Sequence, residues 1–125
     1  MAQAGGHFAR VCTAARGLPN VAETSWFRTP ALAARRKCFA HMKDDATLVL
    51  RLPMETKEML LAAAPETFFE TDHYRGYPAL LVRMDAIGDE ELAHWVGESW
   101  KHMAAKTDMR AHEATRMGAQ AGMQD

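Results

Sequence analysis

The sequence contains three adjacent cations, Arg35, Arg36 and Lys37, in a segment where they could bind phosphate groups. They interrupt a hydrophobic run, so we expect them at the tip of a β-hairpin. Cations on a protruding tip can contact phosphates and displace counterions, as nucleic-acid-binding proteins do. If successive strands reverse direction, Arg51 and Arg83 fall toward the same end of the sheet. The sequence therefore predicts a nucleic-acid-binding patch of Arg35, Arg36, Lys37, Arg51 and Arg83.

The distribution of charge along the chain favours the same half of the molecule. The formal net charge is −1, but residues 1–53 hold eight Lys and Arg against three Asp and Glu, whereas residues 54–125 hold seven against thirteen. A polyanion such as DNA would therefore meet the first half, with weak and non-specific affinity at physiological salt. The alternative is that the charged turns only keep the sheet edges soluble.

Three aromatic residues, Trp26, Tyr74 and Tyr77, form a second candidate site. The two tyrosines belong to a segment that Gly76 and Pro78 mark as a loop. Exposed rings can stack on bases or on a small ligand, because every base offers a flat face. The same rings could instead close a hydrophobic core, and both interpretations stay open.

Catalytic and metal-binding patterns are weak in this sequence. His94 and His102 are eight residues apart on a predicted helix, which separates them by about 12 Å, too far to share one zinc ion. Strand alternation places Cys38 and His41 on opposite faces, so we do not expect a Cys–His nucleophile. We expect a non-enzymatic binding protein without a cofactor or a metal.

The elements that position these residues centre on the segment 31–52. Its alternation predicts three strands joined by two tight hairpins, with Arg35-Arg36 and Asp44-Asp45 at the turns. The third of these strands places Leu48, Leu50 and Leu52 on one buried face. Further strands are predicted over 21–27, 67–71 and 79–84.

Helical periodicity predicts three helices, over 7–16, 53–64 and 88–106. Their buried residues are predicted to be Phe8, Val11, Cys12 and Ala15 in the first, Met59, Leu60 and Ala63 in the second, and Leu92, Trp95, Val96, Trp100 and Met103 in the third. The fold class is therefore α+β, with an antiparallel sheet of five to six strands packed against helices. We expect one domain over 7–106, a disordered N-terminus over 1–6, and a tail over 107–125 that is a frayed helix or disordered.

Several spaced segments resemble the MmcQ/YjbR family of small bacterial proteins over roughly residues 8 to 106. These segments are Gly17–Glu23, Lys37–Ala40, Tyr74–Met84, Glu90–Leu92 and Ser99-Trp100. The resemblance implies a CyaY-like α+β domain and DNA binding through "double wing" hairpins. Where members often carry a glycine-containing turn, this chain has Arg35-Arg36, which makes the wing more basic.

Cysteine usage and hydropathy indicate the compartment. The two cysteines, Cys12 and Cys38, are not a spaced pair, the N-terminus lacks a signal-peptide core, and no apolar run approaches the roughly 20 residues of a membrane span. We therefore expect a cytoplasmic monomer with no membrane contact. The alternative to DNA binding is a protein-interaction or chaperone-like module that uses the sheet face and the aromatic loop. A third hypothesis is a small-molecule pocket near Tyr74 and Tyr77.

Overall fold

The computed structural model describes residues 6–124, and side chains over residues 6–115. The elements, in chain order, are α1 (His7–Ala14), β1 (Val21–Trp26), β2 (Thr29–Ala34), β3 (Lys37–Asp44), β4 (Thr47–Arg51), α2 (Met54–Ala63), β5 (Phe68–Phe69), β6 (Ala79–Arg83), α3 (Asp89–Met103) and α4 (Lys106–Gln124). The predicted α+β class is confirmed. Within residues 6–124, none of the helices combines the length and the hydropathy needed to cross a membrane.

The six strands form one sheet in the order β1-β2-β3-β4-β6-β5, and all neighbours are antiparallel. The three strands predicted within 31–52 are therefore confirmed as β2, β3 and β4. The β2–β3 turn requires a left-handed backbone at Arg35, whose φ is 57°. That conformation is the one that glycine adopts most readily.

The hydrophobic core lies between one face of the sheet and helices α1 and α3. The predicted inward residues Leu48, Leu50 and Leu52 are fully buried there, together with Leu80, Val82 and Met84. Trp100 of α3 is also fully buried, and its Nε1 donates a hydrogen bond to the Pro19 carbonyl at 3.2 Å. This residue therefore joins α3 to the segment that leads into β1.

Two predicted helix faces need correction. Trp95 is only half-buried, where its ring meets Phe68 edge-on at 6.4 Å between centroids. On α2, Met59 is 49% exposed and Ala63 is exposed. The residues of α2 that face inward are Lys57 and Leu60, at spacing i and i+3. A hydropathy pattern does not identify this face, because a lysine counts as a polar residue.

The segment after α3 folds as a separate helix, α4, whose first turn contacts the basic hairpin tip. Asp108 is 5% exposed and accepts hydrogen bonds from Arg35 Nε at 2.6 Å, Arg35 Nη2 at 2.9 Å and Asn20 Nδ2 at 2.8 Å. His112 meets the buried Trp100 edge-on at 5.2 Å. The tail predicted as a frayed helix or disordered is thus helical through Gln124. The N-terminal prediction covered residues 1–6, of which residues 1–5 lie outside the described residues.

The Asp108 carboxylate is expected to make the stability of the fold depend on pH in the acidic range. The hydrogen bonds from Arg35 lower the pKa of Asp108 below its ordinary value of 3.8. Because the folded-state pKa is the lower one, this contribution is complete above the unfolded pKa and is lost as the pH falls through the folded pKa. Asp108→Asn should therefore be less stable at neutral pH and should lose less stability on acidification than the parent. Urea unfolding between about pH 7 and pH 2.5 measures this.

The control is Asp72→Asn, because Asp72 pairs with Arg75 at the surface and its side chain is 89% exposed. This variant should follow the parent at every pH, as expected for an exposed ion pair. If Asp108→Asn and the parent lose stability in parallel on acidification, the contact between α4 and the hairpin does not hold the carboxylate in its charged form.

A candidate binding groove on the open face of the sheet

The sheet face opposite the core carries a groove, which we call the open-face groove. Strand register places His41, Val49 and Leu81 in one row across β3, β4 and β6. Their side chains lie on the face of the sheet opposite to Leu48 and Leu50. The groove has a volume of about 400 Å³. Its lining residues are Trp26, Phe27, Cys38, His41, Val49, Arg51, His73, Tyr74, Tyr77 and Ala79.

The floor of the groove is apolar and the rim is aromatic. Val49 and Ala79 are buried beneath it, with Tyr74 packed against them. One wall is Trp26, whose ring stacks on His41 at 5.7 Å with 30° between the planes. The opposite wall is the pair Tyr74 and Tyr77, 6.2 Å apart. The structure therefore brings all three predicted aromatic residues to one groove.

The exposure of these rings bears on the two interpretations that the sequence left open. Trp26 is 41% exposed and Tyr77 is 45% exposed, whereas Tyr74 is partly buried against the floor. Beside Trp26, Phe27 is 85% exposed at the tip of the β1–β2 hairpin, and its φ of 49° is unusual for a bulky residue. Only Tyr74 acts mainly in packing, so the other rings remain available for a ligand.

A buried lysine positions the tyrosine loop. The Lys57 side chain is 1% exposed, and its Nζ donates to the carbonyls of Tyr74 at 2.7 Å and Tyr77 at 2.8 Å. The same ammonium pairs with Glu70 at 2.9 Å. Sequence reasoning missed Lys57, because its partners lie 13 to 20 residues away and a lysine in a helix ordinarily indicates a solvent-facing position.

Arg51 is the cation of the groove. Its Nη1 donates to the Tyr77 hydroxyl at 3.3 Å, and its guanidinium lies 5.2 Å from the centre of the Tyr77 ring. Its Nε is buried and has no hydrogen-bond partner within the part of the chain that the structure describes. Burial lowers the pKa of His41, and the positive charge of Arg51 lowers it further. The groove therefore holds a fixed cation beside an imidazole that tends to stay neutral.

The prediction that Cys38 and His41 lie on opposite faces is wrong. Leu32 pairs with Ala40 but Ala33 pairs with Cys38, so β3 contains one extra residue at this point. This β-bulge reverses the alternation, and both side chains line the groove. Burial raises the pKa of the Cys38 thiol, and its Sγ donates to the Ala40 carbonyl at 3.7 Å. Those conditions favour an inert thiol over a nucleophilic thiolate.

The predicted basic patch is not one surface. Arg83 pairs with Thr47 at the far end of β4 from Arg51, and its guanidinium lies 4.0 Å from the Phe69 ring centre. The prediction that it shares an end with Arg51 is therefore wrong. Arg35 is at the predicted hairpin tip, but both its Nε and Nη2 are bound by Asp108. Arg36 and Lys37 remain exposed at that end of the sheet.

A family model described as YjbR matches residues 16–102, which include every residue that lines the groove. The chain belongs to the YjbR family. The predicted resemblance is confirmed at this level, and in this YjbR protein α1 and α4 lie outside the matched range.

Other similar proteins give the fold but no activity. Two proteins described only as uncharacterized, from Mycobacterium tuberculosis strain H37Rv and Mycobacterium bovis, are 38% identical over 55 residues, 44% of this chain. That match covers 43% of the length of those relatives. A crystal structure of a Deinococcus radiodurans protein with a DUF419 domain aligns with a TM-score of 0.61 at 21% identity, over 81% of this chain and 83% of that one. This YjbR protein therefore shares its fold.

Proposed function

We propose that this protein is a non-enzymatic nucleic-acid-binding protein that holds single-stranded DNA in the open-face groove. The observation that carries the proposal is the composition of the groove. Exposed rings of Trp26, Phe27 and Tyr77 line the groove together with the Arg51 guanidinium, which lies against the Tyr77 ring, and no Asp or Glu is among the described residues that line it. Aromatic side chains combined with cations are the features that bind single strands without sequence preference.

The groove suits unpaired bases better than a duplex. In a duplex the bases are stacked on each other, so their faces are not available to protein side chains. In a single strand the bases can stack on exposed rings, and each such contact contributes about 1 to 3 kcal/mol by alanine substitution. Trp26 and Tyr77 are the rings placed for this contact.

Exposed cations at one end of the sheet would supply phosphate contacts. Arg36 lies in the β2–β3 turn and Lys37 begins β3, and both are at the same end of the sheet as Arg51, because Ala40 pairs with Leu50. This set is smaller than the patch of five cations predicted from the sequence. We therefore expect weak binding that falls steeply with salt, by about 0.7 in the logarithmic slope for each phosphate neutralised on a single strand.

Fluorescence anisotropy tests the proposal. It compares the affinity for a short labelled oligothymidylate with the affinity for the same strand paired with its complement. Trp26→Ala or Tyr77→Ala should weaken single-strand binding by about 5- to 150-fold, the equivalent of 1 to 3 kcal/mol. Arg36→Ala with Lys37→Ala should lower the salt slope by about 1.4. Met59→Ala, on an exposed face of α2, and Arg16→Ala, exposed just after α1 on the helical side of the sheet, are the matched controls.

Two outcomes would contradict the proposal. Equal affinity for the duplex would mean that the rings do not stack on bases. Parent-like binding by both Trp26→Ala and Tyr77→Ala would place the site elsewhere. A protein-interaction surface on the same face, the alternative function, predicts no salt-dependent binding of the oligonucleotide at all.

A further inference from the structure

We propose that the part of the open-face groove around Arg51 binds a phosphate monoester attached to a flat ring, either a free nucleoside monophosphate or the phosphorylated end of a DNA strand. The inference deepens the proposed function and rests on it only for the strand-bound form. It concerns one anionic group inside the groove, whereas the proposed function concerns bases on the rim.

The hydrogen-bonding state of Arg51 is the first observation. Its Nε is buried and has no hydrogen-bond partner in the described part of the chain, and the hydrogen bond that Nη1 donates to the Tyr77 hydroxyl is long at 3.3 Å. A buried donor that lacks an acceptor costs free energy, so this guanidinium is held less favourably than one whose donors are all paired. Nε is closed to a water-sized atom in this position, but the two terminal nitrogens carry parallel N–H donors that match phosphate oxygens, and a phosphate could bind both together.

The charge balance around Arg51 is the second observation. The other polar residues that line the groove are Cys38, His41, His73, Tyr74 and Tyr77, none of them an acid. Burial lowers the pKa of both His41 and His102, and the charge of Arg51 lowers each further. An anionic ligand would supply the missing charge. The imidazoles and phenolic hydroxyls can add hydrogen bonds to it.

The size of the groove indicates which anion fits. About 400 Å³ is near the lower limit for ligand pockets, and it suits one ring with one attached group. A phosphate monoester carries up to two charges and three acceptor oxygens on one end, so it can enter a confined site end-on. A phosphodiester within a strand carries one charge, and the strand must extend out of the site on both sides of it. The site therefore favours a terminal phosphate, with its base between Trp26 and Tyr77.

Isothermal titration with five ligands tests the inference. The ligands are thymidine 5′-monophosphate, thymidine, inorganic phosphate, and one oligothymidylate with and without a 5′-phosphate. The monophosphate should bind at least about tenfold more tightly than thymidine or inorganic phosphate alone, and the 5′-phosphorylated strand more tightly than the unphosphorylated strand, because a charged bidentate contact is among the stronger hydrogen-bonded pairs.

Variants assign the effect to Arg51. Arg51→Gln should remove the preference for the phosphate while binding of the unphosphorylated strand falls much less, and Arg51→Lys should keep part of the preference because it keeps the charge. The matched control, Arg36→Gln, should weaken both strands equally. Circular dichroism of each variant checks the fold, and Arg51→Lys carries the test if Arg51→Gln does not fold.

The failures of the two proposals are distinguishable. If both strands bind equally and Arg51→Gln changes nothing, the phosphate site is contradicted and the proposed function stands. If the monophosphate binds through Arg51 but no oligonucleotide does, the site stands as one for a free nucleotide and the proposed function fails. Inorganic phosphate that binds as tightly as the monophosphate would overturn the requirement for a ring.

Discussion

Trp100→Ala is expected to destabilise the protein by about 3 to 5 kcal/mol, a large part of the 5 to 15 typical of a domain. The ring is fully buried in the core between α3 and the sheet, and its removal would leave a cavity. The substitution also leaves the Pro19 carbonyl without its donor at 3.2 Å. Urea unfolding monitored by far-ultraviolet circular dichroism measures the loss of stability. Equal m-values would show that the variant and the parent expose similar surface on unfolding, so that their free energies can be compared.

Two further variants make this test specific. Trp100→Phe keeps an aromatic ring but loses the Nε1 donor, so it should cost clearly less than the alanine variant. Trp95→Ala, five residues earlier, should also cost less than Trp100→Ala, because Trp95 is half-exposed and contacts Phe68 at its edge. If Trp95→Ala proves the more damaging of the two, the orientation of α3 described above is wrong.

Lys57→Met is the second change with a large expected effect, about 3 kcal/mol. It leaves Glu70 without its cation and removes the donor to the Tyr74 and Tyr77 carbonyls. Removal of one partner from a buried pair typically costs 3 to 5 kcal/mol. The lower end applies because the Glu70 side chain is 28% exposed and can be partly rehydrated. Urea unfolding gives the stability, and the same variant should weaken single-strand binding by loosening the tyrosine loop.

Two comparisons isolate the buried charge. The double variant Lys57→Met with Glu70→Gln should recover part of the loss, because no unpaired carboxylate remains. The surface control is Lys101→Met, whose pair with Glu98 is 3.3 Å long with side chains 40% and 38% exposed; it should cost less than about 1 kcal/mol. Equal costs for Lys57→Met and Lys101→Met would contradict the buried role of Lys57.

The fold was largely predictable because its signals are local. Alternation and charged turns marked β2, β3 and β4, and the inward faces of β4 and β6 follow directly from a period of two. The face of α2 was not predictable in this way. Its inward stripe begins with Lys57, and only the carbonyls of a distant loop and Glu70 make a lysine acceptable there.

The candidate site was only partly predictable, because its geometry depends on non-local pairing. Trp26, Tyr74 and Tyr77 were identified by type and meet in one groove. Arg83 was misplaced because β6 pairs directly with β4 and runs antiparallel to it. The last residues of two such strands, Arg51 and Arg83, lie at opposite ends of the sheet.

Two further features of the site had no signal in local sequence. The bulge in β3 places Cys38 and His41 on the same face of the sheet. It is an irregularity of strand pairing, and the order of residues in β3 does not show it. The partner of Arg35 lies 73 residues away on α4, where nothing in the sequence around Asp108 indicates it.

Chemical-shift mapping tests the central claim most directly, which is that the open-face groove binds a single strand of DNA. ¹⁵N-labelled protein is titrated with a short 5′-phosphorylated oligothymidylate, and amide, indole and guanidinium signals are followed. The predicted result is a contiguous set of shifts at Trp26, His41, Arg51 and Tyr77, with the signals of α1 and the buried side of α3 unchanged. Shifts confined to the helical side, or none at ligand concentrations well above about 10⁻⁴ M, the upper end expected for non-specific binding, would contradict it.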